Sequence, residues 1–327
     1  MSDGPPGYTA ALNGAALFDR SDAAKIELTG PDAAMFLGNL CTNDIKKLAP
    51  GSGCPAYFCD PRAKVKFQAW VWNLNTAGAT GFWVETTPGR GADLFKYLDR
   101  YLISERVELF DRTDEFAQWH LAGPHAADVL WKTWEVGHTD ISDFSAVSRS
   151  VRRRDYLNLH GFDILVPKEQ TAEARQRLVQ AAAVPAGPDV FETLRIEAGV
   201  PVFGPDIDEN RFVMEIAGAA RAVSYTKGCY LGQEPIVMAR DRAGHVNRAF
   251  LGMKVLDGGP LPAGAKVIHD GQEVGVVTSS CHSPRLGAPV ALGYLRWKHQ
   301  DLGTRMEANG QPVEVLGMPP VNFGPPA

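Results

Sequence analysis

The sequence predicts an α+β protein made of two related α/β halves followed by a small antiparallel β-barrel or sandwich. Three observations carry this: an internal repeat in the first half of the chain, strand-like runs alternating with amphipathic helices, and tight Asp-Gly and Asn-Gly turns confined to the region beyond Arg248. A chain of 327 residues holds more than one folding unit. The change of texture divides it into a module at 1–247 and a barrel at 248–327.

The repeat pairs Ile26-Glu27-Leu28-Thr29-Gly30-Pro31-Asp32-Ala33-Ala34-Met35-Phe36-Leu37 with Gln118-Trp119-His120-Leu121-Ala122-Gly123-Pro124-His125-Ala126-Ala127-Asp128-Val129-Leu130. Each copy reads strand, Gly-Pro, helix. Glycine ends the strand, and proline brings the fixed φ favoured at a first helical position. Two copies about 90 residues apart describe two intertwined halves of one module, not a solenoid of many short repeats.

Between the copies, Ala69–Leu74 and Gly81–Thr86 read as strands, and Asp93–Tyr101 as a helix with Leu94, Tyr97, Leu98 and Tyr101 on one face. After the second copy, Val151–Leu159 and Phe162–Val166 read as strands joined at His160-Gly161, and Thr171–Ala183 as a helix. Arg152-Arg153-Arg154 reads as an exposed strand edge guarded by charge, with RNA contact as the alternative. Ala265–Val277 turns at Asp270-Gly271 and Met306–Val315 at Asn309-Gly310, dipeptides that favour the primed hairpin turns. Asp257–Gly264 reads as a loop and Pro319–Ala327 as a loosely held tail.

Hydrophobic content of 45%, charged content of 22% and a net charge of −5 are those of a globular protein without a global field toward nucleic acid or anionic membrane. Direct tRNA binding is therefore not expected. No apolar run nears the roughly 18 residues of a membrane span, and Met1–Ala10 lacks a signal peptide's pattern. Five scattered cysteines, Cys41, Cys54, Cys59, Cys229 and Cys281, favour reduced thiols in a cytoplasm.

The densest chemistry lies in Lys227-Gly228-Cys229-Tyr230-Leu231-Gly232-Gln233-Glu234. An ammonium two positions before a thiol would raise its thiolate fraction, and the flanking glycines allow a sharply turned loop. The alternative is a structural cysteine in a glycine-bracketed turn. His245 is the nearest histidine that could orient the thiol. With no second cysteine close by, Cys229 lacks the ligand set of a resident metal or cluster.

Arg195-Ile196-Glu197-Ala198-Gly199, then Asp206-Ile207-Asp208-Glu209, then the Lys227–Glu234 motif closely resemble the folate-binding superfamily of the glycine-cleavage T-protein, and within it the YgfZ branch of iron–sulfur assembly and tRNA-modification factors. The resemblance covers most of the chain, from Leu28 through the C-terminal barrel. It implies a three-domain arrangement around a channel holding tetrahydrofolate. It further implies pterin contact by Glu197, a second contact by Asp163 unless that is an ordinary strand residue, further cofactor contacts by Tyr230, Gln233 and Arg240, and catalytic parts for Cys229 and Lys227. Implied partners are iron–sulfur proteins or assembly factors. Three departures stand out. Phe67 and Gln68 occupy the positions of an acidic pair, one member of which acts on folate in the T-protein, which argues against glycine-cleavage chemistry. Ala63 stands where glycine is common, and two extra residues precede Arg240. A tetrahydrofolate-dependent aminomethyl- or methyltransferase is the competing expectation.

Overall fold

The computed structural model describes residues 4–75, 81–134, 151–243 and 246–319. In chain order the first half supplies α1 (Pro6–Asn13), β1 (Ala16–Asp19), β2 (Ala24–Thr29), α2 (Ala33–Leu40), β3 (Gly53–Cys59), β4 (Val65–Asn73), β5 (Phe82–Thr86) and α3 (Gly91–Tyr101). The second supplies β6 (Glu108–Asp111), β7 (Phe116–Ala122), α4 (Ala126–Trp134), β8 (Val151–Arg153), β9 (Gly161–Pro167), α5 (Thr171–Gln180), β10 (Val184–Ala186) and α6 (Pro188–Glu197). Short helices α7 (Ala219–Ala222) and α8 (Gln233–Met238) lead to β11 (Arg248–Val255), β12 (Lys266–His269), β13 (Gln272–Ser283), β14 (Ala288–Arg296), β15 (Arg305–Ala308) and β16 (Gln311–Leu316).

Two five-stranded sheets result, ordered β3-β4-β5-β2-β6 and β10-β1-β7-β9-β8. Each half lends its first strand to the other. β1 immediately precedes β2 yet pairs with β7, from Ala16 opposite Ala122 to Asp19 opposite Trp119. β6 immediately precedes β7 yet pairs with β2, from Ile26 opposite Asp111 to Thr29 opposite Glu108. Matching hydrogen bonds mark the two crossings: Arg20 N–H to the Gln118 carbonyl and Arg112 N–H to the Lys25 carbonyl, both 2.8 Å. The crossings are written in sequence as well, since Leu17-Phe18-Asp19-Arg20-Ser21-Asp22 parallels Leu109-Phe110-Asp111-Arg112-Thr113-Asp114. In both, the aspartate accepts the backbone N–H two residues on. The repeat thus begins at Leu17 and Leu109, ahead of the Ile26 and Gln118 at which the strand, Gly-Pro and helix pattern starts.

Gly30 and Gly123 close the repeated strands at φ 109° and 134°. A β-carbon would lie 2.1 Å from the Arg106 carbonyl oxygen at the first and 2.4 Å from that of Gly14 at the second, so no other residue fits either turn. The helices start two residues after the prolines, which sit in the lead-in turn.

Helices cover the outer sheet faces. Phe36, Leu37, Leu94 and Leu98 pack on Ile26, Phe58 and Val84, and Val129, Leu130 and Leu178 on Trp119, Leu121 and Ile164. The inner faces meet where Trp72 and Trp83 touch Leu165 and Phe116. The C-terminal unit is a closed barrel, not a sandwich, ordered β11-β14-β13-β12-β15-β16 and sealed by β16 against β11. Both hairpin dipeptides have positive φ at each position: Asp270 50°, Gly271 73°, Asn309 51° and Gly310 74°, the signature of the primed turn.

Three expectations shift. The strand expected to reach Leu159 ends at Arg153, because the chain folds back through Arg154 N–H to the Gly161 carbonyl (2.8 Å). The tail begins as packed structure, with Met318 against Phe250 and Tyr294; residues 320–327 lie outside the described ones. The helix from Thr171 stops at Gln180, and Ala182 takes φ 85°. Among the described residues no helix is long and apolar enough to cross a membrane.

Candidate functional site

Where the two sheets do not touch, a cavity of about 410 Å³ opens between them, a size suited to a small organic ligand. Alternation along the strands sends Gln68 and Trp70 of β4 and Glu85 of β5 into one wall, and Gln118 and His120 of β7 with Asp163 of β9 into the other. Ala198 through Val202, Gly218, Arg221 and Met318 also line it.

A buried charge cluster spans the two walls. Glu85 accepts from Trp72 Nε1 (3.1 Å) and Arg152 (3.4 Å) on one oxygen, and from Gln118 Nε2 (3.2 Å) and Arg154 (3.0 Å) on the other. Arg154 also reaches Asp163 Oδ2 at 2.9 Å, while Asp163 Oδ1 lies 2.8 Å from His120 Nδ1. Burial alone would raise Asp163, but Arg154 and His120 hold its carboxyl down at about 2. Burial, then the charge of Asp163, push Glu85 up despite its two arginines. Facing an ionised Asp163, the imidazole donates from Nδ1. His120 Nε2 is buried and has no hydrogen-bond partner, and the same holds for Gln118 Oε1 and the Nε atoms of Arg152 and Arg154.

Beside the cluster runs a column of stacked planes. The Arg154 guanidinium lies over Trp70 (4.5 Å) and Tyr156 (4.7 Å). Tyr156 stacks on Phe191 at 5.8 Å and 19°, and Arg20 lies over Phe191 at 4.4 Å. All five residues line the cavity, giving it an aromatic side with Arg154 between Trp70 and Tyr156 and Arg20 at the far end over Phe191.

The arginine run is therefore neither a guarded outer edge nor an RNA contact. β8 is an edge strand, but Arg152 and Arg154 turn inward to Glu85 and Asp163, and only Arg153 faces out, against Asp155 and His160. Asp163 lines the cavity as a member of the charge cluster. Gln68 lines it too, although its amide is used at both ends: Nε2 donates to the Pro201 carbonyl and Oε1 accepts from Phe203 N–H, each at 2.9 Å. Phe67 packs in the core against Tyr97.

Glu197 is fully buried, and it sits at a junction of three elements. Its carboxylate accepts Tyr8 OH of α1 at 2.7 Å and the Ser283 hydroxyl of β13, while its neighbours Ala198 and Gly199 form the cavity surface. Burial raises its carboxyl. Arg195 spends all five N–H donors: on Glu192 twice, on the Val200 carbonyl, on Asp206 (2.6 Å) and on Ser279 Oγ (2.7 Å). Asp206 in turn accepts from Val202 N–H, Thr278 and Ser279. The first two motifs of the resemblance thus tie the barrel to the module.

The Lys227–Glu234 segment lies apart from the cavity lining. Cys229 is exposed. Lys227 donates to the carbonyls of Gly38 (2.6 Å), Cys41 (2.7 Å) and Asn43 (2.7 Å), so its ammonium holds the 38–43 turn in place of the expected pairing with the thiol. Tyr230 is buried with its hydroxyl unpartnered, Gln233 accepts from Tyr230 N–H (3.3 Å), and Arg240 pairs with Asp241 and lies over Tyr225 (4.4 Å). Gly232, at φ 83°, passes the Asp60 carbonyl so closely that a β-carbon would lie 2.6 Å from it; Gly228 is uncrowded. Ala63 adopts φ 57°, the left-handed conformation of the glycine it stands for, at a cost of roughly 1–2 kcal/mol. His245 lies outside the described residues.

Glu85, Arg152, Arg154, Gln118 and His120 escaped the sequence reading. For Gln118 and His120 the signal was polar residues at alternate positions of a strand otherwise apolar, and for Glu85 a lone carboxylate in an apolar strand.

Comparison with known proteins follows the same architecture. Residues 7–227 match the GCVT N-terminal domain, and residues 248–321 the glycine cleavage T-protein C-terminal barrel domain. An aminomethyltransferase of Thermoanaerobacter sp. (strain X514) is 26% identical over 94% of this chain and 86% of its own length. A probable aminomethyltransferase of Natronomonas pharaonis is 30% identical over 91% and 84%. The crystal structure of glycine cleavage system aminomethyltransferase T from Bartonella henselae shares the fold, with a TM-score of 0.85 at 23% identity over 96% of this chain and 88% of that one. Two exchanged α/β halves, a closed six-stranded barrel and both domain matches place the chain in the GCVT family, to which it belongs.

Proposed function

We propose that the cavity binds a tetrahydrofolate and that the chain moves a one-carbon unit on it, as a tetrahydrofolate-dependent aminomethyl- or methyltransferase. The observation that carries this is the pairing of an aromatic side interleaved with arginines, Trp70 to Arg20, with the polar cluster beside it in one cavity between the sheets. A pterin is a flat ring whose edges carry donors and acceptors, which suits both. Arg20 and Arg221 also line the cavity, without a carboxylate ion pair among the described residues, and suit an anionic tail. Relatives named aminomethyltransferase support the same class.

Titration of tetrahydrofolate, followed by tryptophan fluorescence, tests the first part; a Trp70→Leu protein that binds as tightly as wild type, or a wild type that does not bind, would overturn it. Glu197→Ala separates two parts for that residue: weaker binding at unchanged stability marks a pterin contact, and lost stability marks the junction with Tyr8 and Ser283.

A second reading, a YgfZ-type folate-binding accessory protein for iron–sulfur enzymes in the cytoplasm, is favoured by one feature. Positions 67 and 68 offer no carboxylate, whereas Cys229 is the one exposed thiol among the described residues and sits inside the branch motif. Its partners would be iron–sulfur proteins or their assembly factors. Full rescue of iron–sulfur enzyme activity in a deletion strain by Cys229→Ala would remove the thiol from that function. Turnover of an aminomethyl or methylamine donor with tetrahydrofolate would decide for the transferase.

A further inference from the structure

The proposed transferase needs a group to take the proton from the folate nitrogen that attacks the one-carbon unit, and Phe67 and Gln68 cannot do so. A hydrophobic side chain and an amide bonded at both ends have no basic atom to offer. Across the cavity stands a histidine with the missing property. His120 lines the cavity, is 2% exposed, and bonds through Nδ1 to the buried Asp163 at 2.8 Å, leaving Nε2 without a partner. A carboxylate that fixes the tautomer and orients the ring, with the second nitrogen left bare, is the arrangement by which an acid–histidine pair makes a base. Space for the ring edge is kept by Gly161, where a β-carbon would come within 2.9 Å of Nε2.

We propose that His120 Nε2 is the proton acceptor of this site, with Asp163 its positioning residue; this rests on tetrahydrofolate occupying the cavity. As the folate nitrogen bonds to the carbon of the one-carbon donor, its N–H proton passes to Nε2. The bond from that carbon to its heteroatom breaks with its electron pair, and the imidazolium hands the proton to the departing heteroatom. Nothing is oxidised or reduced. Arg154, in contact with Asp163 and stacked on Trp70 and Tyr156, keeps the carboxylate ionised throughout the cycle.

Two measurements on the full chain test this. In histidine-¹⁵N-labelled wild type, saturation with tetrahydrofolate should shift the bare Nε2 resonance of His120 as it accepts a hydrogen bond while Nδ1 stays protonated. An unmoved Nε2 at saturation overturns the proposal. Formaldehyde serves as the one-carbon probe: the first folate nitrogen adds to its carbon and the imidazolium returns that nitrogen's proton to the oxygen. The hydroxyl then leaves as water as a second folate N–H closes on the same carbon and gives up its proton. His120→Asn keeps a donor toward Asp163 and deletes Nε2; it should bind tetrahydrofolate within about threefold of wild type and condense it about 100-fold more slowly. Condensation at the wild-type rate overturns the proposal. Failure of wild type to bind tetrahydrofolate removes the parent reading with it, so the two failures are distinguishable.

Discussion

The cluster around Arg195 and Asp206 and the cluster around Arg154 and Asp163 are both buried ion pairs bridging separate parts of the chain, but they are finished differently. At Arg195 every guanidinium donor is used, and Asp206 accepts from Arg195, Val202, Thr278 and Ser279. At Arg154 the network stops short, with His120 Nε2, Gln118 Oε1 and two arginine Nε atoms unpartnered. A completed network rigidifies a joint. An incomplete one, costly in a core, is what a ligand can complete, and the incomplete one here lines a cavity while the complete one joins module to barrel.

Four measurements bear on this contrast. Asp206→Ala strands the Arg195 charge in the interior and should cost about 3–5 kcal/mol in denaturant unfolding; a loss below about 1 kcal/mol would mean that the joint is not held there. The pH dependence of stability comes next. Asp163 titrates at about 2 in the folded protein against 3.8 for a free aspartate. Its stabilising effect, roughly 2 kcal/mol, is therefore complete above pH 3.8 and is lost as the pH falls toward 2. Glu85, pushed up, acts in the opposite sense, so the quantity to compare is wild type minus Asp163→Asn between pH 2 and 4. A flat difference would show Arg154 and His120 are not holding the carboxylate. Ser279→Ala removes one neutral partner from the completed joint and should cost about 1 kcal/mol. Gln118→Leu, which trades an unpartnered Oε1 and one long bond to Glu85 for apolar surface, should change stability by no more than about 0.5 kcal/mol; a loss above 2 kcal/mol would show that the cavity cluster is as complete as the joint.

Much of the scaffold was legible because local chemistry fixed it. Asp270-Gly271 and Asn309-Gly310 demanded primed turns, and Gly30 and Gly123 stand where only glycine fits. The Leu17–Asp22 and Leu109–Asp114 match was equally open to inspection, but one residue inserted before the second Gly-Pro shifts its register against the rest of the repeat. The site was less legible, because its members meet across sequence distance. Nothing near Arg152 announces Glu85, which lies 67 residues away, and nothing near Glu197 announces Ser283, 86 residues on. A triple arginine looks like surface until two carboxylates from other strands are found inside with it. Lys227 shows the same limit, since three carbonyls of a distant turn outcompeted the thiol two residues along.

The exchange of β1 and β6 reaches beyond packing. Two identical copies of one such half, each inserting its first strand beside the partner's second, would form a closed domain-swapped dimer with the layout seen here inside one chain. A gene encoding that half, duplicated in tandem and fused, yields this module without any strand having to move. In such a fused chain the two halves are free to differ, and here one carries Glu85 and the other His120 and Asp163 on facing walls of the cavity.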